Sequence, residues 1–369
     1  MTEVFKHRIP DTVITNSYLD PGSVHGNTIS IINENNVLLL EKKSVLHLTL
    51  DSDVDVKSQL KPTKNPLIPF PIPLASLDAT KYFETNAECS LVNIVADRAS
   101  NTIGAVDQDG KVYVKDITNL TQVDPNNTKR RKIEDQPTLQ SVYDPNSYQK
   151  AERGGCGISI SGDQMVVSRF FGKDAHLTKK NATGYTLERV IHSPQNIMKC
   201  KHFTIKKSST PLLAVAEHSL ISIWDPRSFS SVVKISRTHG CIMDLAVTDR
   251  ASSTLLGVTG SDRDVNIYDC EKWTPRYKWN NSIKYTPSYL SFSTVNPDIC
   301  YAAGFDNNEL KAGNFVNQKL NSSSLFNQGM MGDSRWLGMD MIEGDTMAGV
   351  TQNASVYLIK NAHKMMSSQ

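Results

Sequence analysis

The residues of this chain whose types allow chemistry are nine histidines, six cysteines and a scatter of carboxylates. Their spacing gathers none of them into a site. His7, His25, His47, His176, His192, His202, His218, His239 and His363 contain no i, i+4 pair of the sort a helix uses to hold zinc, and none stands beside a cysteine at a zinc-ligand spacing. Cys89, Cys156, Cys200, Cys241, Cys270 and Cys300 are too far apart to form a CxxC redox or metal pair. Gly154-Gly-Cys-Gly157, running into Ile-Ser-Ile-Ser-Gly162, has glycines like those of a phosphate loop or a nucleophile elbow. It lacks the Lys-Ser/Thr of the first and the Gly-x-Ser-x-Gly frame of the second, so it reads as a bend entering a strand. Asp262 and Asp264 pair two carboxylates, but within a turn, where Asp serves its own backbone. No catalytic residue, metal or cofactor is expected, and an enzyme with a central-channel site is the remote alternative.

The bulk properties agree. The chain has 369 residues, a formal net charge of +2, 39% hydrophobic residues and a mean hydropathy of −0.35. That is enough apolar content for a packed core and too little charge to predict direct nucleic-acid binding. The stretch Met1 to Pro21 lacks the apolar run of a signal peptide, and no run approaches the ~20 apolar residues of a membrane span. No membrane insertion is expected, and the Asn-x-Ser/Thr sequons at Asn119 and Asn353 are taken as composition. Scattered cysteines suit a reducing compartment, where a buried thiol packs as a small apolar group.

The elements that would position any site are short β-rich runs bounded by Gly, Asn, Asp and Ser, with few helical patterns. They repeat. The clearest unit is Leu212 to Arg227, a strand, a tight turn at His218 and a strand ending Ile223-Trp224-Asp225. The same pattern recurs with turn residues Asp262, Asp306 and Asn353, at a spacing of about 45 residues, close to the 40–45-residue period of a four-stranded propeller blade. Tyr268-Asp269 stands where Trp224-Asp225 stood, while Lys311 and Ile359 replace the Trp in the last two units. Upstream, Ile103 to Asp116 is another copy, with Asp109 at the turn and Lys115-Asp116 at its end. Further units are drawn from Gly157, Met165 and Ala175 to Thr178, and from Thr28, Val37 and Val45 to Leu50. Seven such units predict an all-β, seven-bladed β-propeller with divergent repeats, because each small sheet must bury both apolar faces against neighbours. Met1 to Asn16, with Val4, Phe5, Val13 and Ile14, is the candidate for the outer strand that closes the ring on the last blade.

These units resemble the WD40-repeat family. In that family a turn Asp, a Ser/Thr, a His near the blade start and the Trp form a structural hydrogen-bond network. The resemblance assigns Asp109, Asp116, Trp224, Asp225, His239, Asp262, Tyr268, Asp269 and Asp306 to such structural positions and gives them no chemistry. His239 sits in Thr-His-Gly, the reverse of the family's Gly-His.

The whole chain, 1–369, is expected to be one propeller with two insertions. Residues 59–74 are Pro-rich, too dense in proline for a central strand; Leu67, Ile68, Phe70 and Ile72 lie either along the propeller side or, as the favoured reading, on their own blade. Residues 118–153 form a polar insertion expected to be a mobile loop; its cluster Lys129-Arg130-Arg131-Lys132 is a candidate nuclear-import signal or a solvated loop. Ser323 to Gly329, followed by Trp336-Leu337 and a blade ending Val-Tyr-Leu, is similar to the end of a WD-repeat nucleoporin of the Y-shaped outer-ring complex. That similarity implies a non-enzymatic scaffold at the nuclear envelope with nucleoporin partners, and association with kinetochores in mitosis. The alternatives are a cytoplasmic location and an adaptor that presents substrates to a methyltransferase or ubiquitin ligase.

Overall fold

Short apolar runs separated by two- to four-residue turns leave each strand only its sequence neighbour to pair with, and the chain builds seven consecutive antiparallel sheets. The computed structural model describes residues 2–10, 13–14, 19, 26–50, 58–59, 72, 74–75, 77–121, 138–228, 230–236, 240–250, 253–305, 308–316 and 328–366. Strands within a blade are called a to d from the centre outward.

The first strand, β1 (Glu3–Arg8), belongs to the last blade. Blade 1 is β2 (Ile29–Asn33), β3 (Asn36–Glu41), β4 (Ser44–Leu50) and, after the short β5 (Ser58–Gln59) and β6 (Leu74–Ala75), its outer strand β7 (Leu77–Glu84). Blade 2 is β8 (Leu91–Asp97), β9 (Thr102–Asp107) and β10 (Val112–Asp116), followed by the helical turn α1 (Thr118–Thr121); a single bridge from Val112 to Tyr143 stands beside β10. Blade 3 is β11 (Cys156–Ser161), β12 (Gln164–Arg169), β13 (Asp174–Asn181) and β14 (Gly184–His192). Blade 4 is β15 (Ile197–Ile205), β16 (Thr210–Glu217), β17 (Leu220–Asp225) and β18 (Ser230–Ser236). Blade 5 is β19 (Ile242–Arg250), β20 (Ser253–Gly260), β21 (Val265–Asp269) and β22 (Thr274–Trp279). Blade 6 is β23 (Pro287–Phe292), β24 (Ile299–Gly304), β25 (Glu309–Asn314) and β26 (Gln328–Met331). Blade 7 is β27 (Trp336–Ile342), β28 (Thr346–Thr351) and β29 (Ser355–Lys360), completed by β1 from the other end of the chain, with Glu3 opposite Lys360 and Arg8 opposite Ser355. The ring is therefore closed by hydrogen bonds between the two ends, as the apolar Val4 and Phe5 led one to expect; both are buried.

The buried apolar residues fall into seven clusters, one at each blade-to-blade interface. Each blade is apolar on both faces, and stacking is what takes those faces out of water. Cys156, Cys200, Cys270 and Cys300 lie within these clusters as reduced, buried thiols, while Cys89 and Cys241 are half-buried. Among the described residues no helix is long and apolar enough to cross a membrane.

Two features differ from the sequence reading. The margins of the Pro-rich insertion pack on blade 7 rather than on their own blade: β5 pairs antiparallel with β1, β6 pairs parallel with it, and Ile72 joins the cluster between blades 6 and 7. The edge of β1 offers free backbone groups there, whereas β4 already has β7 as partner. Leu67, Ile68 and Phe70 lie outside the described residues. Secondly, residues 138–153 of the polar insertion are not a mobile loop. Tyr143 is buried between blades 2 and 3, and Pro145–Ser147 form a 3-10 turn capped by the Asp144 carboxylate. A Tyr and a Val in an otherwise polar run are enough to anchor it.

Candidate interaction face and central channel

An up-and-down blade puts its a–b and c–d turns on one face of the ring and its b–c turns and d-to-a connections on the other. On the b–c face, polar side chains fasten the turns of four blades to the connections that enter them, a carboxylate making the tie in blades 4, 6 and 7 and a carboxylate-paired arginine in blade 3. In blade 4, Trp224 Nε1 donates to Ser222 Oγ (2.9 Å), Ser222 donates to Glu217, and Ser193, from the entering connection, donates to the other oxygen of Glu217 (2.7 Å). Blade 7 uses Asp333 of the entering connection, which accepts from Thr351 Oγ1 (2.7 Å) and Ser355 Oγ (2.6 Å) and pairs with Lys6 at 2.9 Å. In blade 6 the carboxylate of Glu309 accepts from the backbone N–H of Lys284 (2.6 Å). Blade 3 buries a charged set: Arg169 Nε donates to Asp174 (2.8 Å), its Nη1 donates to Gln149 O (2.6 Å), and Tyr143 OH meets His176 Nδ1 at 2.7 Å. Burial alone would raise the Asp174 pKa, but the His176 and Arg169 hydrogen bonds outweigh it and hold the carboxyl at about 2.

The WD-type positions take varied roles. Trp224 is half-buried at the edge of the cluster between blades 3 and 4, and Asp225 forms an exposed pair with Arg227 (2.7 Å). Tyr268 is buried between blades 4 and 5; Asp269 is buried beside Arg276 (3.0 Å) and accepts from the N–H groups of Glu271 and Lys272. Asp109 accepts from Arg153 Nε (2.8 Å), Asp116 is exposed and caps Thr118 N, and Asp262 caps Asp264 N within its turn. The structure thus does not join these residues into one repeated network, and His239, Asp306 and Lys129, Arg130, Arg131 and Lys132 lie outside the described residues. The carboxylates that do the joining, Glu217, Glu309 and Asp333, were missed from sequence. Their signal was position: each lies next to a turn or in the connection facing one. Asp107, the partner of Tyr113 OH (3.2 Å), is buried and its pKa is pushed up to about 6 by that burial.

The ties hold a face that carries three exposed aromatics. Tyr148, in the connection entering blade 3, is 58% exposed; Phe171, in the b–c turn of blade 3, is 49% exposed; Tyr285, in the connection entering blade 6, is 50% exposed. Large aromatics held outward by rigid turns are the residue type enriched where proteins bind proteins.

The axis of the ring is a cavity of about 290 Å³ lined by the a strands. Its lining follows from one recurring irregularity. In blades 2, 4, 5 and 6 the a–b register slips near the start of the a strand, just before Asn93, Lys199, Asp244 and Tyr289, and all four line the cavity. A bulge re-aims the residues beside it, here toward the axis. Asp244 of blade 5 joins three blades, accepting from Leu290 N of blade 6 (2.8 Å) and pairing with Lys199 of blade 4 (3.1 Å). Asp340 does the same for blades 7, 1 and 2, accepting from Ile31 N (3.1 Å) and Ser30 Oγ (2.9 Å) of blade 1 and pairing with Arg98 of blade 2 (2.5 Å). These carboxylates work as ties between blades.

No protein-family model matches the chain, and no curated protein matches it in sequence. Solved structures do match in shape. The crystal structure of the WD40 β-propeller domain of Doa1 superposes with a TM-score of 0.62 at 10% identity, covering 91% of this chain and 93% of that one. A chain in the crystal structure of a mitotic checkpoint complex superposes with a TM-score of 0.63 at 13% identity, covering 96% of this chain and 92% of that one. Its fold is that of the seven-bladed WD40-type β-propeller.

Proposed function

We propose that this protein is a non-enzymatic interaction scaffold that engages protein partners through the face bearing Tyr148, Phe171 and Tyr285. The observation that carries the reading is the combination of exposed aromatics with turns fixed by buried carboxylates: the binding surface is preorganised, so little is lost in ordering it. One of the similar structures is part of a multiprotein complex, which supports the same class of role. The test is affinity purification of the wild type, of a Tyr148→Ser/Phe171→Ser/Tyr285→Ser variant, and of a Val295→Ser control on the opposite face. Loss of specific partners from the triple variant alone is the expected result. An unchanged partner set for a folded triple variant would overturn the assignment of this face.

The finer reading is a structural subunit of the nuclear-pore outer ring, similar to the WD-repeat nucleoporin forty-three. It rests on the segment Ser323 to Gly329 with Trp336-Leu337. Tagged protein at the nuclear rim supports it, and a diffuse cytoplasmic signal refutes it. Replacing Lys129, Arg130, Arg131 and Lys132 by alanine lowers nuclear accumulation if the cluster is a working import signal. Co-purification with a methyltransferase or ubiquitin-ligase subunit, in place of nucleoporins, favours the adaptor.

A further inference from the structure

Five charged side chains from four blades converge on the central cavity: Arg98 from blade 2, Lys199 and Lys201 from blade 4, Asp244 from blade 5 and Asp340 from blade 7. The sum is three cations against two carboxylates. Both carboxylates are committed. Asp340 takes Arg98, Ser30 Oγ and the N–H groups of Ile31 and Met341; Asp244 takes Lys199 and the N–H groups of Leu245 and Leu290. Arg98 spends its Nε and Nη2 on Ile31 O and Asp340, and its Nη1 has no hydrogen bond among the described residues.

Lys201 is the remaining charge. Its side chain is open to the cavity, yet among the described residues it has neither an ion pair nor a hydrogen bond. The surrounding wall lowers its ammonium pKa below that of ordinary lysine; Asp244 and Asp340 oppose the shift, and Lys199 and Arg98 add to it. The adjacent His202 contributes no balancing or added charge, since burial, and then Lys201 itself, press its pKa down to about 4. A cation in a walled cavity whose nearby carboxylates are already committed to other donors, and which has no direct partner of its own among the described residues, costs free energy that an anion there recovers, because Coulomb interactions strengthen where protein replaces water. Ser159 and Ser291 also line the cavity, and its volume lies just below the usual range for small-molecule sites.

We propose that the central channel binds a small oxyanion of the phosphate class, held by Lys201 with the free edge of the Arg98 guanidinium. The anion is either inorganic phosphate or the phosphoryl group of a small ester. A phosphate oxygen accepts from both donors, and its charge cancels the residual positive charge of the cluster. The site is independent of the aromatic face, which opens on the turns rather than the axis.

The experiment is calorimetric titration and thermal melting of the full chain with sodium phosphate and, separately, glycerol 3-phosphate, each against sodium chloride at equal ionic strength. The proteins are the wild type, Lys201→Met and Lys150→Met, the last an exposed lysine away from the channel. Phosphate or its ester should raise the melting temperature of the wild type and Lys150→Met, with Lys201→Met binding at least tenfold more weakly. Lys201→Met should itself melt no lower than wild type without anion, because no ion pair is lost. Binding by one probe only identifies the source of the phosphoryl group. Equal anion effects in Lys201→Met and wild type, or no anion-specific effect in folded wild type, overturn the proposal.

Discussion

Trp336 offers the sharpest test of how the blades hold together. It is fully buried between blades 6 and 7, donates from Nε1 to Asn308 O (2.9 Å), and meets Tyr357 edge-on with ring centroids 5.2 Å apart. Its indole also lies on Gly349, where a Cβ would come within 2.8 Å of the ring and meet Met339 only at ordinary contact distance. Trp336→Ala removes a large buried aromatic and should cost about 3–5 kcal/mol. With an unfolding entropy of about 2.1 cal/mol/K per residue, that is a fall of about 4–6 °C in Tm for a chain of this length. Gly349→Ala should cost about 1–3 kcal/mol by overpacking against the ring. In the double variant the ring is gone and the new methyl enters the space it left, so that cost should largely vanish. The expected coupling is about 1–3 kcal/mol, well above the additivity found for separated sites. Denaturant unfolding of the four proteins measures it. If Gly349→Ala costs the same in both backgrounds, the indole is not packed against Gly349 and the account of this interface is wrong.

Three other outcomes follow from the same contacts. Trp224→Ala should destabilise by about half as much as Trp336→Ala, roughly 1.5–2.5 kcal/mol, because Trp224 is only half-buried; thermal melts of the two side by side decide it. Asp174→Asn leaves the Arg169 guanidinium buried without its carboxylate and should cost about 3–5 kcal/mol near neutral pH, read from urea midpoints. Because the Asp174 pKa is depressed to about 2, its contribution is complete above the ordinary carboxyl pKa and is lost as pH falls through about 2, so the gap between variant and wild type should close across that acid window and stay constant above it. Deleting residues 1–9 removes β1, leaves the β29 edge unpaired and exposes the interface that Val4 and Phe5 fill; the product should lose its cooperative melt and aggregate, and an unchanged melt would show that the ring closes without this strand.

Much of the architecture was legible because it is local. Alternating apolar runs and turns specify the strand triplets, and their period specifies the ring; even the closing strand showed itself through Val4 and Phe5. The relative importance of the tryptophans was not legible. Trp224-Asp225 is the best-preserved sequence signature, yet Trp279 and Trp336 are the fully buried tryptophans. Burial depends on which neighbouring blade covers a side chain, and that is a contact between distant segments. The carboxylates that carry the turn bonds were not legible for a related reason. The family pattern pointed to turn aspartates and His239, whereas the bonds run through Glu217, Glu309 and Asp333, whose partners lie across a connection. The channel charges were invisible because a register slip before Lys199 and Asp244, unmarked by glycine or proline, determines which side chains face the axis.

The insertions obey the same division of faces. The Pro-rich run lies between β4 and β7, the basic run follows β10, and residues 315–327 lie between β25 and β26; each interrupts a c-to-d connection, in blades 1, 2 and 6. Blades 1 and 6 flank blade 7, where the ring closes, and blade 2 is the next one round. The b–c face is fastened by carboxylate ties, so an insertion there would break a buried network, whereas a c-to-d connection on the other face tolerates added length at only about 0.6 kcal/mol per doubling. Replacing residues 317–327 with a four-residue Gly/Ser linker should therefore shift stability by less than about 1 kcal/mol. It should also leave the near-ultraviolet circular dichroism of the tryptophans unchanged. Loss of folding in that variant would mean that the segment is part of the core of blade 6 and that the two faces do not divide the work in this way.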